Sequence, residues 1–311
     1  MKHVYLCAYG DANHHERGIV RLNVDLETGE LHKEFVLPLN GKCNLVTEYN
    51  HHLYLSVKYP EGSRIEVYDE NYELIKSYPS EYFYSYGQVV ENKFLLASYE
   101  SGVDSVFDFE KEAFTAHCVH RRENYEGKTK SHYIQKLKDG QIVGIENGHQ
   151  QFIVYEDMSL NVKKIVEYPP INIRLLSFHP DGKTAYMNTE YSNELIVLET
   201  ENWSVTDHWQ MADQSDWYSG GNAISEDGAY VCASVRGQDR IHVFRPFGMS
   251  IVPVGSFGCG RIPRDLVFVE DLLFVSCTDD NKVEVYDFAD EMFEKIAEVD
   301  VAQPVPFGMK S

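Results

Sequence analysis

Short apolar runs separated by small polar turns recur along this chain, on average every 44 residues. Each copy is one apolar run, a turn, and a second run that closes on a pair such as Val-Tyr or Val-Phe. Runs of this length, rich in β-branched and aromatic residues, predict β-strands. The paired runs are Val4–Tyr9 with Gly18–Val24, Leu53–Val57 with Arg64–Tyr68, Phe94–Tyr99 with Asp104–Phe107, Ile142–Glu146 with Gln151–Tyr155, Ala185–Glu190 with Glu194–Leu198, Tyr230–Arg236 with Arg240–Phe244, and Leu273–Thr278 with Lys282–Tyr286.

The ends of the second runs give the period of the repeat. Landmark residues at or near these ends are 46, 39, 48, 43, 46 and 42 residues apart, namely Leu22, Tyr68, Phe107, Tyr155, Leu198, Phe244 and Tyr286. A period of about 40 to 50 residues with strand content is typical of a β-propeller, in which each repeat is one four-stranded sheet. The seven copies therefore predict an all-β, seven-bladed β-propeller. They tile the whole sequence, so we expect a single domain over residues 1–311.

The two ends of the chain complement each other in this scheme. The strand that begins at Val4 corresponds to the second strand of a four-stranded blade, and no first strand comes before it in the sequence. The tail beyond the last complete copy contains the apolar segment Pro304–Phe307. We expect this tail to supply the innermost strand beside Val4–Tyr9, because pairing the two ends removes open sheet edges.

Composition limits the partners and the compartment. The net charge of −21 over 311 residues argues against nucleic acids and anionic membranes as partners. The six cysteines form no Cys-x-x-Cys motif, which fits a reducing compartment. No charged-then-apolar leader and no apolar run near 18 residues is present, so we expect a cytoplasmic protein, either a monomer or a weak homo-oligomer.

The turn glycines show which polar residues share one end of a blade. In the fifth copy, Asp181-Gly182 supplies the tight turn between a first strand over Leu175–His179 and a second over Thr184–Thr189. Because these strands are antiparallel, the residue before the first and the residue after the second emerge at the same end. Arg174 and Glu190 should therefore face one mouth of the central channel.

The same count applied to other copies adds further residues to this mouth. Eight residues before Gly140 stands His132, eight after Gly228 stands Arg236, and Arg264 opens the first strand of the last copy. Tyr99 occupies a mouth-side position as well. A lone arginine at a strand end is usually an exposed rim residue. Several charged residues in equivalent positions predict a pocket for a small anion instead.

The histidine-rich loop near the N-terminus is the one candidate for a metal site. His14 and His15 stand between Asp11 and Glu16. Such residues can bind a metal, but a loop of this composition is more often simply solvated. No nucleophile elbow, zinc-protease motif or phosphate-binding glycine loop is present. We therefore predict no metal and no cofactor.

Several segments resemble the lactonase propeller family, which includes propeller-type 6-phosphogluconolactonases and carboxy-muconate cycloisomerases. The sequence FHPDGKTAYMNTE at 178–190 and SEDGAYVCASVRGQDRIHVF at 225–244 are similar to blade motifs of that family. The opening VYLCAYG, the later RGIVRLNVDLETGEL and the IPRDLVF segment are similar to its first and last blades. The resemblance covers nearly the whole chain.

The resemblance implies a set of site residues and an activity. The proposed catalytic and binding positions of the family fall on His132, Arg174, Glu190 and Arg236. The chain departs from the family at Lys130, where a histidine is usual, and at Tyr125-Glu126, near the place of an Arg-Gln pair.

The expected activity is metal-independent hydrolysis of a sugar lactone such as 6-phosphogluconolactone. His132 or Glu190 would be the base, Arg236 would stabilise the oxyanion, and the binding residues for the small anionic substrate would be Arg174, Arg264 and Tyr99. Two alternatives stay open, namely a cycloisomerase acting on a carboxylated lactone or muconate, and a non-catalytic propeller that binds a ligand or a protein.

Overall fold

The structure is a computed structural model that describes residues 2–10, 16–26, 28–121, 127–169, 172–288 and 293–310. Residues 309 and 310 are described by their backbone alone. The Asp11–His15 loop and Tyr125-Glu126 lie outside the described residues. Within the described ranges there are 29 strands and three short 3₁₀ helices. In chain order they are β1 (Lys2–Ala8), β2 (Gly18–Val24), β3 (Leu31–Pro38), β4 (Lys42–Tyr49), β5 (His52–Tyr59), β6 (Gly62–Tyr68), β7 (Leu74–Ser80), β8 (Tyr86–Val90), β9 (Lys93–Ser98), β10 (Val103–Asp108), β11 (Ala113–Val119), β12 (Ser131–Lys136), β13 (Ile142–Glu146), β14 (Gln151–Tyr155), β15 (Val162–Glu167), β16 (Ile173–Phe178), β17 (Thr184–Thr189), β18 (Glu194–Glu199), β19 (Val205–Gln210), η1 (Ser215–Trp217), β20 (Ser219–Ile224), β21 (Val231–Val235), η2 (Arg236–Gln238), β22 (Arg240–Phe247), β23 (Ser250–Gly258), β24 (Pro263–Val269), β25 (Leu272–Cys277), η3 (Thr278–Asp280), β26 (Lys282–Asp287), β27 (Glu294–Asp300), β28 (Pro304–Phe307) and β29 (Met309–Lys310).

These strands form seven sheets, one for each copy of the sequence repeat. Blade 1 has the order β28-β1-β2-β3, and blades 3 to 7 each consist of four strands consecutive in the chain, from β8 to β27. Blade 2 is β4-β5-β6-β7, with the two-residue strand β29 added in parallel to β4. The predicted all-β, seven-bladed propeller fold is confirmed.

The chain divides into two compact units. Unit 1 comprises Met1–Pro38 with Leu175–Phe307 and holds blades 1, 5, 6 and 7. Unit 2 comprises Leu39–Arg174 with Gly308–Ser311 and holds blades 2, 3 and 4. The single domain expected from the sequence stays a prediction.

The predicted pairing of the chain ends is confirmed within unit 1. Strand β28 lies beside β1, with Phe307 opposite Leu6 and Pro304 opposite Ala8. The hydroxyl of Thr278 donates to the Pro304 carbonyl at 2.8 Å. This strand is therefore tied both to the first strand of the chain and to blade 7.

Burial separates the middle strands from the outer ones. Every residue of β13, β17 and β25 is buried, because both faces of a middle strand pack against other side chains. The outer strand β11 alternates between exposed and half-buried residues. Inner strand ends are therefore rigid positions from which side chains can be presented.

The turns between the first and second strands are built as the sequence predicts. Gly140, Gly182 and Gly228 have φ angles of +90°, +72° and +78°. A side chain is strained in this left-handed region, which explains glycine at these positions. The second strand of blade 5 has the predicted bounds, Thr184–Thr189.

Candidate active site

The strands place three of the predicted site residues in unit 1. Glu190 follows the last residue of β17, Arg236 follows the last residue of β21, and Arg264 is the second residue of β24. All three are thus at ends of inner or middle strands. The turn-glycine count predicts this for Glu190 and Arg236, and the start of the first strand in the last copy predicts it for Arg264. The other three predicted residues, Tyr99, His132 and Arg174, belong to unit 2.

Glu190 and Arg236 form a part-buried ion pair. Arg236 Nη2 donates to Glu190 Oε1 at 2.6 Å, and the two side chains are 19% and 14% exposed. The same nitrogen donates to the Ser219 carbonyl at 3.0 Å, and Nε donates to the Tyr218 carbonyl at 3.2 Å. These three charge-assisted bonds fix the position of the guanidinium, which is a fork-shaped donor. Among the described residues, its Nη1 makes no hydrogen bond.

The backbone around this pair is also tied together. The amide of Arg236 donates to the Tyr218 carbonyl at 3.0 Å, and the amide of Ser219 donates to the Glu190 carbonyl at 3.2 Å. Blades 5 and 6 are joined at this point, because Glu190 directly follows the second strand of blade 5 and Ser219 begins blade 6.

Two tyrosines beside the ion pair were not predicted from the sequence. Tyr218 follows η1 and has φ +47° and ψ +112°, an uncommon conformation for a residue with a side chain. The Cζ atom of Arg236 lies 5.6 Å from the centre of its ring. The ring of Tyr191 lies 5.6 Å from that of Tyr218 at an angle of 60°. The only sequence signal is the aromatic pair Trp217-Tyr218 directly before a glycine-rich first strand.

Arg264 differs from Arg236 in its surroundings. It is half-buried on β24, and the described residues offer its guanidinium no ion pair or hydrogen bond. The strand itself packs closely against blade 6: a Cβ on Gly220 would lie 2.4 Å from the Pro263 carbonyl oxygen. Arg264 is thus a positive charge on a fixed strand that no carboxylate of the described residues neutralises.

In unit 2 the structure brings His132 together with Tyr99. Their rings are 5.4 Å apart and nearly perpendicular, at 85°. Lys130 places its Nζ 5.2 Å from the centre of the Tyr99 ring. Arg174, at the end of unit 2, is only 7% exposed, so it is more deeply buried than a rim residue.

The strand that carries His132 is anchored by two buried carboxylates that sequence reasoning missed. Glu146 accepts bonds from the amides of Lys130, Gly148 and His149. Burial raises the pKa of Glu146, and the amide bonds from Lys130 and His149 oppose that rise. Asp104 accepts a bond from the hydroxyl of Ser131, the residue before His132.

Asp104 is also the partner of a buried histidine. Its Oδ2 lies 3.1 Å from His120 Nε2, and both side chains are almost completely buried. Tyr155 donates its phenol hydrogen to the same oxygen. Burial lowers the pKa of His120, but the Asp104 charge, its hydrogen bond and Cys118 outweigh burial and raise that pKa to about 10.

All six cysteines are free thiols. No group of three or more metal-binding side chains occurs in the described ranges, and Glu16 of the histidine-rich loop pairs with Lys33 at 2.8 Å. None of the described helices has the length and apolar content needed to cross a lipid bilayer.

Comparison with known proteins decides the family. The family model described as "Lactonase, 7-bladed beta-propeller" matches residues 3–307. The chain belongs to this lactonase family. A 6-phosphogluconolactonase of Bacillus subtilis is 30% identical over 217 residues, 57% of each chain. An uncharacterized protein of Lactococcus lactis subsp. cremoris is 28% identical over 171 residues, 50% of each chain.

Solved structures agree with the fold of this lactonase family member. A protein from Lactobacillus plantarum matches with a TM-score of 0.87 at 18% identity, over 98% of both chains. The periplasmic gluconolactonase PpgL of Pseudomonas aeruginosa matches with a TM-score of 0.83 at 16% identity, over 98% of both chains. The sequence matches to curated relatives are shorter, because the chain spans about half the length of the Lactococcus proteins that it matches.

Proposed function

We propose that this lactonase-family protein hydrolyses the ester bond of a sugar lactone such as 6-phosphogluconolactone. The observation that carries the proposal is the part-buried Glu190–Arg236 pair, in which a fixed guanidinium is held at the ends of two strands. Family membership and the similarity to the Bacillus subtilis 6-phosphogluconolactonase support it.

The reaction requires a base, a donor for the oxyanion and a clamp for the substrate anion. Water attacks the lactone carbonyl carbon, the ring C–O bond breaks, and the released ring oxygen takes a proton to give a hydroxy acid. We assign oxyanion stabilisation to Arg236, because its donors are fixed before substrate binds. Arg264 and Arg174 would hold the phosphate or carboxylate of the substrate.

Between the two candidate bases we favour His132. The carboxylate of Glu190 is bonded to Arg236, and a neighbouring cation stabilises the ionised form and so weakens a carboxylate as a proton acceptor. A histidine is suited to proton transfer near neutral pH. We therefore propose that Glu190 orients Arg236 while His132 takes the proton from water. The assignment of His132 and Arg174 to the same pocket rests on the sequence frame and stays a prediction.

A lactone panel with matched variants tests this function. His132→Asn should lower kcat by about 10²- to 10⁴-fold on the preferred lactone. Arg236→Lys keeps the charge but removes the planar fork, and a loss of about 10²-fold is expected for an oxyanion donor. His208→Asn is the control, since His208 is exposed on an outer strand and pairs with Glu194.

Two results would contradict the proposal. Wild-type rates in both the His132 and the Arg236 variants would exclude the mechanism. A wild-type protein that hydrolyses no sugar lactone would exclude the function, and the cycloisomerase alternative would then be tested with a carboxylated muconate.

A further inference from the structure

The pair formed by Tyr191 and Tyr218, here called the tyrosine trough, is the most exposed aromatic surface next to charged groups of the candidate site. Tyr191 is 46% exposed and Tyr218 is 40% exposed, although both are large rings. Their planes meet at 60° with the centres 5.6 Å apart. The rings therefore meet edge to face, and each keeps a large exposed area. Large aromatic side chains left open on a rigid scaffold are commonly binding surfaces.

The backbone holds the trough in an unfavourable conformation. Tyr218 has a positive φ of +47°, which is strained for a residue with a side chain. The conformation is kept because the Tyr218 carbonyl accepts two bonds from Arg236, one from its amide and one from Nε. Strain that is retained by surrounding bonds often marks a functional position.

The charges beside the trough define the chemistry of what it would hold. Arg236 lies on the Tyr218 ring and is paired with Glu190, so the edge of the trough carries both a cationic donor and a carboxylate acceptor. A purely apolar ligand would cover the ion pair without forming any hydrogen bond to it. A purely ionic ligand would not use the rings. A pyranose ring meets both demands, because its C–H face is apolar and its hydroxyl edge donates and accepts hydrogen bonds.

We propose that the tyrosine trough is a subsite that stacks on the C–H face of a pyranose or sugar-lactone ring, with its hydroxyls directed to Glu190 and Arg236. The inference rests on the proposed function and adds to it the two residues that distinguish a sugar lactone from a simple one. The electron-rich faces of the rings attract the partly positive C–H hydrogens of the sugar.

Binding of stable sugar anions tests the trough independently of catalysis. Calorimetry would use two pyranose probes, glucose 6-phosphate and glucuronate, and two ring-free anions, inorganic phosphate and acetate. Tyr191→Ala should weaken the better pyranose probe by about 3- to 10-fold, the size of an aromatic stacking term. The ring-free anions should bind as they do to the wild type. Tyr191→Phe keeps the ring and should bind all four probes as the wild type does.

A second variant guards against misfolding. Tyr218→Gly removes the other ring at a position whose positive φ suits glycine, so it should lose pyranose binding without losing thermal stability. An equal loss for pyranose and ring-free anions, or unchanged pyranose binding in both ring deletions, would overturn the proposal. So would a wild-type protein that binds neither pyranose probe. Selective pyranose loss in a protein without lactonase activity would support the trough while refuting the proposed reaction.

Discussion

Replacing Phe307 with alanine tests whether the C-terminal strand closes the fold. Phe307 is 7% exposed, and its ring meets that of Phe274 at 6.4 Å and 81°. It belongs to a core that includes Leu6, Val285 and Val301. Its amide also donates to Asp265 Oδ2 at 2.9 Å, a bond that alanine keeps. The substitution therefore removes packing and leaves the strand's hydrogen bonds in place.

The expected cost follows from this burial. Deleting a buried phenylalanine side chain costs about 3 to 5 kcal/mol, from lost burial and from the cavity left behind. Domains are stable by only about 5 to 15 kcal/mol, so the loss is a large share of the total. With a urea m-value near the upper end of about 1 to 3 kcal/mol per molar, the unfolding midpoint should fall by roughly 1 to 2 M.

The control uses a phenylalanine in the same unit that lacks these contacts. Phe247 is 77% exposed, so Phe247→Ala should change the free energy of unfolding by less than about 0.5 kcal/mol. Both variants would be followed by fluorescence in urea beside the wild type. If the Phe307 variant unfolds at the same urea concentration as the Phe247 variant, the strand does not hold the chain ends together.

Two further predictions concern unit 2. The folded-state pKa of His120, about 10, lies above its unfolded value, so the stability from its pairing with Asp104 is complete below about pH 6.5 and is lost as pH rises through 10. Between pH 7 and 10, the free energy of unfolding of the wild type should therefore fall by up to about 1.4 kcal/mol per pH unit more than that of His120→Gln, as measured by urea unfolding. Equal pH dependence of the two proteins would contradict this. Gly148→Ala would place a Cβ 1.9 Å from the Lys128 carbonyl oxygen and should lower the free energy of unfolding by about 1 to 3 kcal/mol. The control Gly255→Ala, whose Cβ would have its nearest atom at 3.9 Å, should be well tolerated. Equal thermal midpoints for the two variants would show that the backbone at Lys128 moves aside at little cost.

The sequence predicts the middle strands of this fold better than the outer ones. Ile142–Glu146 and Gln151–Tyr155 have the predicted bounds, because a strand buried on both faces reads as an unbroken apolar run. The outer strand β15 has the sequence VKKIVE and is mostly exposed, so nothing in its composition separates it from a loop. Its place follows only from pairing with β14.

The candidate site is predictable in part for a similar reason. Glu190 and Arg236 stand at fixed distances from turn glycines, so their positions at strand ends follow from counting. The place of Tyr218 depends on a single left-handed residue after a 3₁₀ turn, and no periodic pattern encodes it. The burial of Arg174 depends in the same way on side-chain packing that spacing alone does not specify.

Buried carboxylates with phenol partners give a physical account of how the inner strands keep their register. Glu66 accepts from Tyr68 at 2.8 Å, Glu284 accepts from Tyr286 at 2.7 Å, and Asp104 accepts from Tyr155. Each carboxylate stands on the third strand of its blade and is almost fully buried. A shift of one residue would turn such a group to the other face and separate it from its donor on another strand, which is Tyr59 for Glu66, Lys295 for Glu284 and Tyr155 for Asp104. The cost of such a loss is several kcal/mol. Apolar runs tolerate such shifts more easily, so these carboxylates select the register of blades 2, 3 and 7. In blades 3 and 7 that register also sets where Tyr99 and Arg264 emerge from their strands.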